Sequence, residues 1–140
     1  MDASSEAVEL ERRILKGIAL EWHAAAAALR YERGFSLRTP GFELSDMDQA
    51  VGKWMSHKHL IVLSRTFVMA HPWLAVRDVL LHEMAHQLTD EVLGQDTSIH
   101  GSTFKKACAI LGAKPEASGD FTVPTEEAGR EGLPENDRIL

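Results

Sequence analysis

Val79-Leu80-Leu81-His82-Glu83-Met84-Ala85-His86-Gln87-Leu88 is the stretch on which the reading of this chain turns. It lies inside a longer segment, 74–93, whose apolar residues include Val76, Leu80, Leu81, Met84, Ala85, Leu88, Val92 and Leu93. They recur at the spacing of an α-helix, and Gly94 supplies the stop. Residues four apart on a helix differ by about 40° in azimuth, so His82 and His86 project from one face and can reach a single ion. Zinc suits a pair of neutral imidazoles, which occupy two corners of its tetrahedron. Glu83 stands one residue along, on the flank of that pair, where a carboxylate can serve a water rather than bind the metal. Zinc lowers the pKa of such a water from ~15.7 towards ~7, and the carboxylate takes its proton as the oxygen attacks a polarised carbonyl.

A catalytic zinc needs a third protein ligand and an open fourth position. An HExxHxxGxxH continuation is excluded, because Thr89 and Val92 stand where glycine and histidine would be required. Asp90 follows on the same helical strip but lies about a pitch away from the second histidine. Glu116 is an acidic alternative in a region rich in Pro and Gly. His100 is the best placed of the three. It follows a polar loop long enough to return beside the helix, and Gly101 after it permits a tight turn into the next helix.

Outward from this centre, residues 6–33 read as one helix ending at Gly34, with Ile14, Leu15, Ile18 and Trp22 on its apolar face. Thr39-Pro40-Gly41 marks a turn, and Phe42 to Ser45 reads as a short strand. Gln49 to Met55 and His59 to Ser64 read as the two strands of a hairpin around Ser56-His57-Lys58, a connection that lacks the customary glycine. His71-Pro72 forms a turn before the metal-motif helix. Thr103 to Leu111 reads as a last amphipathic helix closed by Gly112.

A length of 140 residues, with 44% apolar and 26% charged residues, suits one globular domain with a real core. Cys108 is the only cysteine, so no disulfide framework is available. The net charge of −6 argues against a cationic footprint over the whole chain. The opening residues lack the cationic and apolar regions of a signal peptide, and no apolar run nears the ~20 residues of a membrane span. A cytoplasmic location is therefore expected. From residue 113 the composition shifts: this stretch holds three of the five prolines and four of the six net negative charges. The expected organisation is a domain over 1–112 followed by an acidic tail or linker over 113–140, expected to be solvated, with a further domain after it or a frayed terminus as the two alternatives.

His82-Glu83-x-x-His86 followed by His100-Gly101-x-x-Phe104 resembles the SprT-like zinc metalloproteases, which are related to the Spartan DNA-protein-crosslink proteases. Gly52-Lys53-Trp54 and Ile61-Val62-Leu63-Ser64 are similar to that family's hairpin before the active-site helix. The resemblance covers residues 10–112. It implies a compact α+β zincin-like domain: an N-terminal helix, a small antiparallel sheet or hairpin, an HExxH helix and a C-terminal helix. It further implies Zn2+ on His82, His86 and His100, Glu83 as general base, and Phe104 packed behind the third ligand. A protein or peptide is the implied substrate. Nucleic acid is a partner by resemblance only, without support from charge, and the cysteine-rich ribbon of many relatives has no counterpart here.

The function expected is zinc-dependent endopeptidase. The alternative, of a different class, is a catalytically silent zinc-stabilised interaction domain that docks partners through its first helix and acidic tail. Elsewhere, His57 and His59 read as exposed turn histidines, with a role at the cleft as the rarer reading, and His23 and His71 as structural. Tyr31 carries no spacing that supports an oxyanion role. Trp54 and Trp73 read as core aromatics, and Arg12, Arg13, Lys16, Lys105 and Lys106 as solvated helix faces.

Overall fold

A computed structural model describes residues 3–47, 49–95 and 98–115. The order of elements is α1 (Ala3–Arg33), β1 (Gly41–Ser45), β2 (Gly52–Met55), β3 (Leu60–Ser64), α2 (Arg65–Ala70), α3 (Trp73–Leu88), a π-helical turn (Thr89–Leu93) and α4 (Ser102–Leu111). Among the described residues, no helix is long and apolar enough to cross a membrane. The tail features expected from residue 116 onward, Glu116 among them, lie outside the described residues.

β3 is the centre of a three-stranded sheet in the order β1-β3-β2. Its run Ile61-Val62-Leu63-Ser64 is buried, as a short β-branched and apolar strand between two neighbours should be. The hairpin is antiparallel as expected, with Gly52 opposite Leu63 and Met55 opposite Leu60. β1 instead joins the far edge of β3 in parallel, Gly41 opposite Leu60 and Ser45 opposite Ser64, so the sheet is mixed rather than antiparallel. The cause is the link 46–51: it passes over the C-terminal end of β3, where Ser64 N–H bonds to the Val51 carbonyl at 2.9 Å, and enters β2 on the other side. At the hairpin turn His59 adopts φ +52°, the left-handed conformation usually left to glycine. Bonds from its ring to the Arg38 carbonyl (3.0 Å) and towards Glu91 (3.5 Å) hold it there.

Two helical features differ from the expectation. Arg65–Ala70 forms a short helix directly after β3, begun by Ser64, whose hydroxyl accepts from the Phe67 N–H at 3.1 Å. The segment expected as one helix over 74–93 is α-helical to Leu88 and then widens to a π turn, closed where Gly94, at φ +91°, donates to the Thr89 carbonyl five residues back.

α3 lies against β2 and β3, with α1 and α4 packed on it as well. From Val79 to Thr89 every residue is buried. Such a helix has no solvent face on which to place polar groups. α1 meets it through Ile18 and Trp22, and the indole N–H of Trp22 donates to Gln87 Oε1 at 3.0 Å. Gln87 in turn donates to the Arg38 carbonyl (2.7 Å) and to Glu91 (3.1 Å), tying the 34–40 loop to α3. Arg65 binds Glu11 and Asp46, both at 2.7 Å, and so joins α1, the 46–51 link and α2.

Of the two tryptophans expected in the core, Trp54 is half-buried and donates to Asp90 at 2.6 Å. Trp73 is 39% exposed: its ring lies over Gly17 and its N–H reaches Glu21, so it is a surface clasp between α1 and α3. Tyr31 is 91% exposed. Arg12 and Arg13 face solvent and pair with Glu9 on their own helix.

Replacing Trp22 by Phe keeps most of the packing but strands the buried Gln87 oxygen. The expected loss is about 1–3 kcal/mol of unfolding free energy, measured by urea titration, with little change in m-value.

Candidate active site

His82 and His86 occupy successive turns of α3, 1% and 6% exposed, and half-buried His100 comes to them from the loop before α4. One ring nitrogen from each lies within 4.8 Å of the others. Among the described residues the cluster has these three members, so the third ligand read from the sequence is the one the fold brings in. Asp90 is engaged by the Trp54 indole instead.

Phe104 supports the cluster. Wholly buried on the first turn of α4, it stacks on His86 with ring centroids 4.2 Å apart at 21°, and its ring lies 5.0 Å from those of both His82 and His100. Gly101, just before α4, is extended, and this brings His100 and Phe104 to the same side within four residues.

A backbone group orients the first histidine. His82 Nδ1 donates to the Lys114 carbonyl at 2.7 Å. A carbonyl only accepts, so the proton is on Nδ1, and Nε2 carries the lone pair that a metal takes. Lys114 follows α4, whose end at Gly112 turns through φ +72°, and its ammonium lies 3.5 Å from Asp78, one turn before His82 on α3. Residues just past the expected boundary at 112 therefore serve the site. Sequence inspection offers no means of finding this contact, because any residue carries a carbonyl.

Glu83 is fully buried, and among the described residues neither carboxylate oxygen has a hydrogen-bond partner. Burial alone pushes its pKa well above the usual carboxylate range. A buried anion with no donor and no counter-charge is costly, and such a group marks a place where something else completes the site. The donor set fits zinc: three imidazoles, one in a held tautomer, an orphaned carboxylate beside them and, among the described residues, three protein ligands, the pattern of a catalytic rather than a structural zinc. The His82, His86 and His100 cluster is thus suited to a divalent metal such as Zn2+.

The remaining histidines stay away from this cluster. His57 is exposed on the hairpin turn, and His71 stacks on Phe67 at 4.0 Å in a structural role.

A match to the SprT-like family covers residues 20–125, most of the chain. The chain belongs to the SprT-like family, and its His-Glu-x-x-His helix with a third histidine is the metal site of a zinc metallopeptidase. No curated protein and no solved structure matches the chain.

Two measurements test the site. A chain ending at Gly112 lacks the Lys114 carbonyl, and its zinc affinity, read by chelator competition, should fall by about 10- to 100-fold. The second concerns pH. A carboxyl whose pKa is higher folded than unfolded binds more protons in the native state, so it destabilises the metal-free fold increasingly as pH rises above the unfolded value near 4.5. Metal-free Glu83→Gln should therefore melt at a higher temperature than the parent at pH 7, with the difference shrinking as pH falls towards 4.5 and gone below it.

Proposed function

We propose that this protein is a zinc-dependent endopeptidase in which His82, His86 and His100 hold the metal and Glu83 is the general base. The observation that carries this reading is the buried, unpartnered Glu83 carboxylate one residue from a metal-ligating histidine. When bound, zinc supplies Lewis acidity that polarises a carbonyl oxygen, acidifies water and favours the ionised form of a neighbouring carboxylate. Glu83 Oε1 or Oε2 accepts the proton of the attacking water and later passes it to the departing amine nitrogen. Its burial keeps other water away from that proton, and the lack of hydrogen bonds to it among the described residues keeps both oxygens available as acceptors. His82 is held in one tautomer by the Lys114 carbonyl and His86 in one plane by Phe104, so the metal-binding nitrogens are oriented before a substrate arrives.

A protein or peptide is the substrate class that the family implies. Among the described residues β2 is an edge strand, and the residue at its start, Gly52, lies against Glu83. An extended polypeptide laid along that edge would bring its backbone to the site through main-chain hydrogen bonds, which favours unfolded segments over side-chain selectivity. Residues 1–112 carry only two of the six net negative charges, a near balance that gives no support to nucleic acid as a partner. A cytoplasmic setting belongs to the same reading, supported by the single, buried Cys108, which needs no oxidising compartment. The silent interaction domain is disfavoured, because an inert site gains nothing from an uncompensated buried carboxylate.

Glu83→Gln should keep about one zinc per chain by elemental analysis while cleavage of denatured casein falls by about 10²- to 10⁴-fold. His82→Ala should lose the zinc. A Glu83→Gln chain that cleaves at the parent rate would rule out the assigned base.

A further inference from the structure

Gly52, the first residue of β2, has no positive φ, so its backbone places no demand for glycine. A glycine inside a strand weakens it, and alanine would be the better residue if there were room. There is none. A Cβ at this position would lie 2.8 Å from Val79 Cγ1, 3.0 Å from Leu63 Cδ2 and 3.2 Å from Glu83 Oε2. Carbon atoms in contact sit about 3.5–4.0 Å apart, so a methyl would force shifts of several tenths of an ångström to about 1 Å. Leu63 and Val79 are buried and hemmed in, and the strand is pinned by its pairing with β3 and by the Ser64–Val51 bond. Glu83 is the group with least to hold it. Its carboxylate is the end of a flexible side chain, without hydrogen bonds among the described residues, and is kept in place by its walls alone.

We propose that Gly52 is a positioning residue for the hydrolysis: the space left by its missing side chain sets where the Glu83 carboxylate sits. This rests on the peptidase reading above. The three atoms nearest to that missing side chain belong to Val79, Leu63 and Glu83 and to none of the histidines, so its effect falls on the base before the metal. The glycine also lets β2 run close against α3, which places the edge of the sheet beside the base.

The test compares the zinc-loaded full chain with its Gly52→Ala variant on dye-labelled denatured casein. The expected result is a kcat lower by about 100-fold, with KM and the zinc Kd each within about threefold of the parent. In a Glu83→Asp background the shorter carboxylate is already withdrawn from the Cβ position, and adding Gly52→Ala should cost less than about tenfold. An equal cost in both backgrounds, or loss of zinc binding in step with kcat, overturns the proposal in favour of a general packing role. If Gly52→Ala does not fold, Gly52→Ala with Val79→Ala removes the closest clash and is compared with Val79→Ala alone; matching kcat values there overturn the proposal too. A parent that binds zinc but cleaves no polypeptide sinks the peptidase reading and this proposal with it, whereas an active parent matched by Gly52→Ala sinks this proposal alone.

Discussion

Burying a polar helix is the constraint around which this fold is arranged. α3 has no exposed residue between Val79 and Leu88, yet it carries His82, Glu83, His86 and Gln87 through the core. Each buried polar group needs a partner, and a lost one costs on the order of 1–3 kcal/mol. The surrounding elements supply those partners from far along the chain. Trp22 of α1 and the Arg38 carbonyl serve Gln87, the Lys114 carbonyl serves His82, and Phe104 of α4 covers His86. Among the described residues both oxygens of Glu83 are left without a hydrogen-bond partner, and the exception falls on the residue that the chemistry requires.

The π turn after Leu88 extends the same arrangement. A straight α-helix would carry Asp90 and Glu91 onward at a fixed azimuth, whereas the wider turn brings Asp90 to the Trp54 indole and Glu91 to the Arg38 amide, Gln87 and His59. The hairpin and the 34–40 loop are thereby fastened to the end of the metal helix. Thr89, whose hydroxyl bonds back to the Ala85 carbonyl at 2.8 Å, sits where the helix changes pitch. Such bonding within a helix loosens the backbone ladder locally, in keeping with the change of pitch there.

Much of this was legible in the residues themselves because it depends on spacing. The i, i+4 histidines, the glycine stops at Gly34, Gly94 and Gly112, the apolar run of β3 and the His100-Gly101 step into α4 are all local patterns. What escaped depends on tertiary context. The parallel pairing of β1 depends on how the 46–51 link crosses the end of β3, and no propensity encodes that. The short helix after Ser64 carried a cap signal, but six residues are too few for periodicity to register. His59 took the left-handed place of a turn glycine because Arg38 and Glu91, remote in sequence, hold its ring. Trp73 stands out of the core because a large aromatic with a polar edge serves equally well as a clasp over Gly17.

The two function classes open to a zinc-bearing helix differ in what the fold does with its uncompensated charge. A structural centre closes its coordination shell with protein ligands and leaves no buried carboxylate beside it, since removing such a group would stabilise the fold at no loss. Here the described cluster stops at three imidazoles, one of them half-buried, and the adjacent carboxylate is fully buried beside Gly52, where a side chain would meet Val79, Leu63 and Glu83 Oε2. A glycine in the strand and a buried carboxylate in the helix each weaken the fold, and the two meet at Glu83 Oε2. A fold selected for stability alone would have relieved the buried carboxylate with one amide at residue 83. The joint presence of that glycine and that carboxylate is what distinguishes a site built to move a proton from one built to hold a metal.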